Sequence, residues 1–273
     1  MRIDRYLAPA FLAVVVLGAL FAPWLPLFDR DAIDLASALQ PPSGLHWFGT
    51  DNLGRDTFTR VIYGSRTSLS IVVAAVVAGG GLGCLLGLLA GYRGGWFDAI
   101  IMRAADLQYS LPPVILALVA TVALGTGMVN LVMAISLATW PRFARIVRAE
   151  ALHLRQRDFV LLAELGGASV ARVLWHHLLP NMLTTVMVLV TLDIGLIVTL
   201  EATLSFLGLG VQPPDPSWGT MIADGRGYLS QAWWLTAMPG AVLVLTILAV
   251  NATGKLLRTR NEQPVQRPEV ALV

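Results

Sequence analysis

Charge is scarce in this chain: Asp, Glu, Lys and Arg together make up 13% of 273 residues, while 56% are apolar. That balance excludes a soluble domain of this size, which would carry about twice the charge. Cysteine is scarcer still. Cys84 is the single one, so no intrachain disulfide can form, and beside Gly83 it reads as a small packing residue. Histidine occurs four times. His176 and His177 are adjacent, which turns them about 100° apart on a helix, and His46 and His153 are remote, so the spacing assembles no metal site. A phosphate-cradling loop ending in Gly-Lys-Ser/Thr is missing too. Gly254-Lys255 is followed by Leu256, which offers no hydroxyl for magnesium, so any ATP is hydrolysed elsewhere. Nor is there a basic groove interleaved with aromatics to suit nucleic acid; the net charge is only +2.

What the chain has instead is long apolar runs. A helix needs about 20 apolar residues to cross a bilayer, and six windows qualify: 7–28, 69–91, 99–123, 128–148, 182–208 and 233–256. The expected fold is an all-α integral membrane protein with six transmembrane helices. No cleavage site follows the basic start Met1–Tyr6, so the first window reads as an anchor rather than a removed signal. In the third window Arg103 and Asp106 are spaced to pair on one helix face, and Pro112-Pro113 should kink the span. The second carries Gly79, Gly83, Gly87 and Gly91, a bare stripe along which another helix can pack. That neighbour could belong to this chain or to another subunit.

Positive charge orients the spans. With the N-terminus in the cytoplasm, the inner segments take Arg2, Arg5, Arg93, Arg142, Arg145, Arg148, Arg155, Arg157 and Arg172, among others. The outer segments keep Arg30, Arg55, Arg60, Arg66 and Arg226 among more numerous acids, so both termini should be cytoplasmic. The expected division is residues 1–28 as the N-terminal end and first span, 29–68 as an extracytoplasmic segment, 69–258 as the transmembrane core, and 259–273 as a polar, disordered tail.

Between the fourth and fifth windows lies a loop, 155–181, built as two short helices. Asp158 is placed to cap the first and Gly166-Gly167 to end it; Ser169 caps the second, which runs to Leu179, and Pro180 opens the next span. It reads as a docking surface for a soluble partner or as an interfacial amphipathic hairpin. Two carboxylates lie inside the fifth window. A charge at the centre of a span costs about 2.5–3.5 kcal/mol on insertion scales, so it faces a cavity or a partner. Asp193 and Glu201, eight residues apart and about 80° around a helix from each other, could both face one lumen. With Ser205 they line or gate a pathway, or else they tie neighbouring helices. In the 29–68 segment Asp51, Arg55, Asp56, Arg60 and Arg66 form paired charges that shape a pore entrance, meet a binding protein, or are simply solvated. Trp218, Trp233 and Trp234 read as interfacial anchors.

Four stretches carry a family resemblance: Trp47-Phe-Gly-Thr-Asp51 through Gly54-Arg-Asp56; Gly91-Tyr-Arg-Gly-Gly95 with Asp98 and Met102-Arg103; Glu201-Ala-Thr-Leu-Ser-Phe-Leu-Gly-Leu-Gly210 with Pro216-Ser-Trp-Gly219; and the loop through Ala163, Gly167 and Leu179-Pro180. The loop resembles the EAA loop of ABC-importer permeases, with Leu161-Leu162-Ala163 where that family has Glu-Ala-Ala. Together, from about residue 45 to 258, they resemble the C-type permease subunit of dipeptide, oligopeptide and nickel importers. Gly254-Lys255 stands where the family has Gly-Asp. The resemblance implies a coupling helix docked on a cytoplasmic ATPase through Asp158, Phe159, Leu162, Ala163, Glu164, Gly167, Ala168, Ser169 and Pro180. It also implies a homologous B-type permease subunit, two ATPase subunits or one fused ATPase, an extracytoplasmic substrate-binding protein, and a bacterial cytoplasmic membrane. No cofactor is expected on this chain; ATP and magnesium belong to the partner ATPases. Nickel or another small ligand is the alternative cargo. Of other classes, an intramembrane hydrolase would need Ser205 with a histidine, or Asp106 with Asp193, and a passive channel would not need the 155–181 loop.

Overall fold

The structure, a computed structural model, describes residues 4–261; the tail expected at 259–273 lies almost wholly outside the described residues. Every regular element among them is helical. Helix α1 (Asp4–Phe21) leads into an irregular cap, then α2 (Thr57–Ala75), α3 (Gly81–Arg93), α4 (Gly95–Tyr109), α5 (Pro113–Leu124) and α6 (Met128–Arg155). The short α7 (Asp158–Leu165) and α8 (Val170–Arg172) follow, then α9 (Leu179–Phe206), α10 (Trp218–Gly225) and α11 (Trp234–Asn261). Four helical stretches are long and apolar enough to cross a membrane: Tyr6–Trp24, Thr57–Arg93, Val170–Phe206 and Trp234–Leu256. A fifth span is completed if α4 and α5, bent by 94° at their junction, count as one. Pro112 and Pro113 account for the bend, because neither ring can donate the backbone hydrogen bond a continuous helix requires. α6 is 28 residues long, but its second half carries Arg142, Arg145, Arg148 and Glu150.

Two expected boundaries move. Asp56 caps α2 by accepting from the Thr59 backbone N–H at 2.7 Å, so the helix starts at Thr57 and takes in Arg60 and Arg66. The second helix of the 155–181 loop does not stop at Leu179. It continues through a π turn over Val173–Leu178 into α9 as one helical stretch, Val170–Phe206. Pro180 falls in the first turn of α9, where a missing N–H is tolerated because the π turn has already displaced the bonding register.

The core lies where α2, α5, α6 and α9 meet around Ile71, Val72, Leu131, Ile135, Ile197 and Leu204. Beside it α3 packs on α6 at backbone distance, so the neighbour of the glycine stripe is a helix of the same chain. A Cβ on Gly83 would stand 2.3 Å from the Trp140 carbonyl oxygen, and one on Gly87 2.3 Å from that of Ala144. Both sites are backbone against backbone and cannot yield by rotating a side chain. Gly87→Leu should therefore force the helices apart at a cost of about 1–3 kcal/mol and sharply lower the yield of folded subunit. Gly81→Leu, at a position facing open space, should not. Equal melting temperatures in detergent for the two variants would refute this close packing.

Candidate functional site

Polar chemistry gathers at three levels. The first is the cap between α1 and α2. Gly49 (φ +70°) and Gly54 (φ +75°) permit turns that fold the chain back on Asp51. Asp51 Oδ1 accepts from the backbone N–H groups of Leu53 (2.8 Å) and Arg55 (2.9 Å), while Oδ2 faces Arg55 Nε at 2.7 Å and Arg60 Nε at 3.7 Å. Asp56 serves as the α2 cap and also meets His46 Nδ1 at 2.8 Å. Asp51, Arg55 and Arg60 thus form one partly buried network, and Asp56 pairs separately with His46. Arg66 stands apart from it, exposed on α2. Sequence reasoning does not link His46, Asp31, Asp215 or the motif residue Asp224 to the cluster, since nothing in their spacing connects them. Arg30 bridges Asp31 (3.1 Å) and Asp215 (3.0 Å), and Asp224 lines a cleft with Arg55 and Arg60. Burial pushes the Asp224 carboxyl above its ordinary range, with Arg60 and Arg55 pulling it back. Two expected interfacial tryptophans are interior instead. Trp218 is fully buried and donates its indole N–H to the Val61 carbonyl at 3.2 Å; Trp234 does the same to Thr50 at 3.2 Å. Of these three, Trp233 alone is exposed, at 54%.

The second level is the interior of α9. Glu201 is 0% exposed, and Ser205, one turn on, donates to its Oε1 at 2.8 Å. The hydroxyls of Ser68 from α2 and Ser217, the residue that caps α10, are the other polar groups around the carboxyl. All three serines are buried, and the Ser68 hydroxyl also accepts the Trp218 backbone N–H at 3.3 Å. Serines from three segments thus surround one carboxylate, of which Ser205 bonds Oε1 and, among the described residues, none bonds Oε2. Asp193, two turns earlier, is also 0% exposed but faces a different neighbour: Arg142 of α6, whose Nη1 lies 2.9 Å from Oδ1. Glu201 and Asp193 thus have different partners within this chain. Arg142 is seated by the elbow between α4 and α5. Pro141 has no N–H to give the Leu137 carbonyl, which instead accepts from the Gln108 side chain. Trp140 Nε1 donates to the other side of that amide at 2.9 Å. Asp106 pairs with Arg145, not with Arg103 as the spacing suggested. Each candidate of an aspartate dyad thus has its own arginine, and Ser205 is bonded to a carboxylate rather than a histidine. Neither arrangement is that of a hydrolase.

The third level is the 155–181 loop. Arg157, not Asp158, occupies the capping position of α7, without a side-chain bond; Asp158 is the first helical residue. The helix ends as expected: Gly167 takes φ +80°, and the Ala168 N–H bonds the Ala163 carbonyl at 3.0 Å. Ser169 accepts from the Arg172 N–H at 3.4 Å. Val160 packs into the apolar cluster of α3, α6 and α9, whereas Phe159, Leu162 and Leu165 are 39%, 67% and 85% exposed. The Tyr92 hydroxyl at the end of α3 donates to Glu164 at 2.9 Å, and the Arg155 guanidinium lies 5.6 Å from the Tyr92 ring. α7 is thus tied down on one side and apolar on the other.

Residues 83–263 match the model of the binding-protein-dependent transport system inner membrane component. The chain belongs to that family, and is thus a membrane component of a transport system. It is 42% identical over 90% of its length to the "Probable D,D-dipeptide transport system permease protein DdpC" of Escherichia coli strain K12, covering 83% of that protein. A peptide transport system permease protein of Brucella suis is also 42% identical, over 90% of this chain and 83% of the relative. The dipeptide transport system permease protein DppC of Alkalihalophilus pseudofirmus is 40% identical, over 89% of this chain and 80% of its own.

Proposed function

We propose that this chain is the permease subunit of an ATP-driven importer of dipeptides or oligopeptides and forms half of its translocation pathway. What carries the cargo reading is that relatives at 40–42% identity, matched along most of both chains, are named for peptides. The remaining half of the pathway is a homologous permease subunit, and a binding protein outside the membrane delivers the peptide to the Asp51–Arg55–Arg60 face. Two ATPase subunits, or one fused ATPase, hydrolyse ATP with magnesium on the cytoplasmic side. In this reading α6 is a further span and α4–α5 a broken one, which brings the total to six with both termini cytoplasmic.

Coupling runs through α7. Its apolar residues Phe159, Leu162 and Leu165 dock in the ATPase, while Val160, Glu164 and Tyr92 fix the helix to the membrane bundle. The continuous helix from Val170 to Phe206 supports this reading, because beyond the Gly166–Ser169 turn a push reaches Asp193 and Glu201 along one helical stretch. Within that helix Glu201 acts as a tie between α2, α9 and α10, and Asp193 faces the pathway. Deleting the gene from a strain with no other peptide importer should abolish growth on a dipeptide that supplies a required amino acid. Reintroducing the wild-type gene should restore it. Unimpaired dipeptide growth, with loss of some other nutrient, would replace the cargo assignment.

A further inference from the structure

The elbow between α4 and α5 opens a cavity of about 100 Å³ whose lining includes Gln108, Tyr109, Thr139, Arg142 and Asp193. Two opposite charges meet there. Asp193 is completely buried, while the Arg142 side chain is 41% exposed. The ion pair is close, 2.9 Å, yet among the described residues neither Asp193 carboxylate oxygen receives an aligned hydrogen bond. The adjoining charges are already matched: Arg145 pairs with Asp106 and lies 4.1 Å from the Tyr109 ring. Arg142–Asp193 is therefore the pair left facing the cavity with unused bonding capacity.

A buried carboxylate and a guanidinium constrain what can displace them. A ligand with one charge would satisfy one partner and strand the other in a low-dielectric setting. A ligand carrying both an ammonium and a carboxylate can satisfy both at once. The planar guanidinium suits a carboxylate bidentately, and the two carboxylate oxygens of Asp193, once released from Arg142, suit the three donors of an ammonium. We propose that Arg142 and Asp193 form a zwitterion-selective latch, closed as an ion pair at rest and opened by a peptide whose amino terminus binds Asp193 and whose carboxyl terminus binds Arg142. The proposal rests on the peptide-import reading and adds to it a site within this chain.

The test is equilibrium binding of labelled dialanine, N-acetyl-dialanine and dialanine amide to the complete transporter in lipid nanodiscs, without the binding protein. Wild type should hold dialanine at least tenfold more tightly than either blocked form. Asp193→Asn and Arg142→Gln should each remove that preference. A charge-swapped double variant, Arg142→Asp with Asp193→Arg, keeps the pair and should retain dialanine selectivity. Assembly is read in parallel by gel filtration. Equal binding of all three peptides by wild type, or unchanged selectivity in Asp193→Asn, would overturn the latch. So would loss of assembly in the single variants together with a swapped variant that assembles but shows no selectivity, which marks a purely structural tie. Failure of the swapped variant to assemble as well would also overturn it. Whole-cell dipeptide growth is scored separately, so the latch can fail while the importer assignment stands.

Discussion

Gly167→Trp is expected to leave the subunit folded and inserted while abolishing ATPase association and peptide uptake. Two features of Gly167 separate these effects. Its φ of +80° lies where side chains are strained, which costs roughly 1 kcal/mol for an ordinary residue. A Cβ there meets nothing within 4 Å, so an indole projects away from this chain and into whatever docks on α7. Gly167→Ala carries the strain without the bulk and should keep most uptake. Co-purification of the ATPase with each variant, alongside uptake, is the measurement. Normal uptake with Gly167→Trp would remove the loop from the coupling mechanism.

Glu201→Ala should be the most damaging single change for assembly. It deletes the carboxyl that Ser205 bonds and leaves that buried hydroxyl short of its acceptor, at about 1–3 kcal/mol. Glu201→Gln keeps a carbonyl that can accept from Ser205, and should assemble nearly normally with no bias among substrates. Thermal unfolding of the complex, with uptake of free and amino-blocked peptides, distinguishes the roles. Selective loss of free-amino peptides in Glu201→Gln, with assembly intact, would place this carboxylate on the pathway instead.

The helices were legible where apolar runs, prolines and glycines act locally. Pro112-Pro113 marked the bend, the i+4 glycines marked a packing face, and Gly166-Gly167 marked the end of α7. What stayed hidden depends on contacts between distant segments. Asp193 stands out as a costly charge in an apolar run, but its partner Arg142 lies on α6, where the sequence shows it as one of the positive charges that set topology. The three-serine environment of Glu201 joins residues 68, 205 and 217, a set no spacing rule connects. Trp218 and Trp234 have the composition of interfacial residues, yet the fold buries them because each indole N–H finds a carbonyl across the structure. α2 starts well before its apolar run because the capping geometry of Asp56, not hydropathy, fixes its first turn.

Coupling of ATP hydrolysis to peptide movement through α7 is tested most directly by reconstituting this subunit, its partner permease, the ATPases and the binding protein into liposomes with labelled dipeptide. The account predicts accumulation above the external concentration only when ATP and magnesium are present on the ATPase side. It also predicts that Gly167→Trp loses the accumulation. Equilibration of peptide without ATP, or uphill uptake that survives Gly167→Trp, would contradict it.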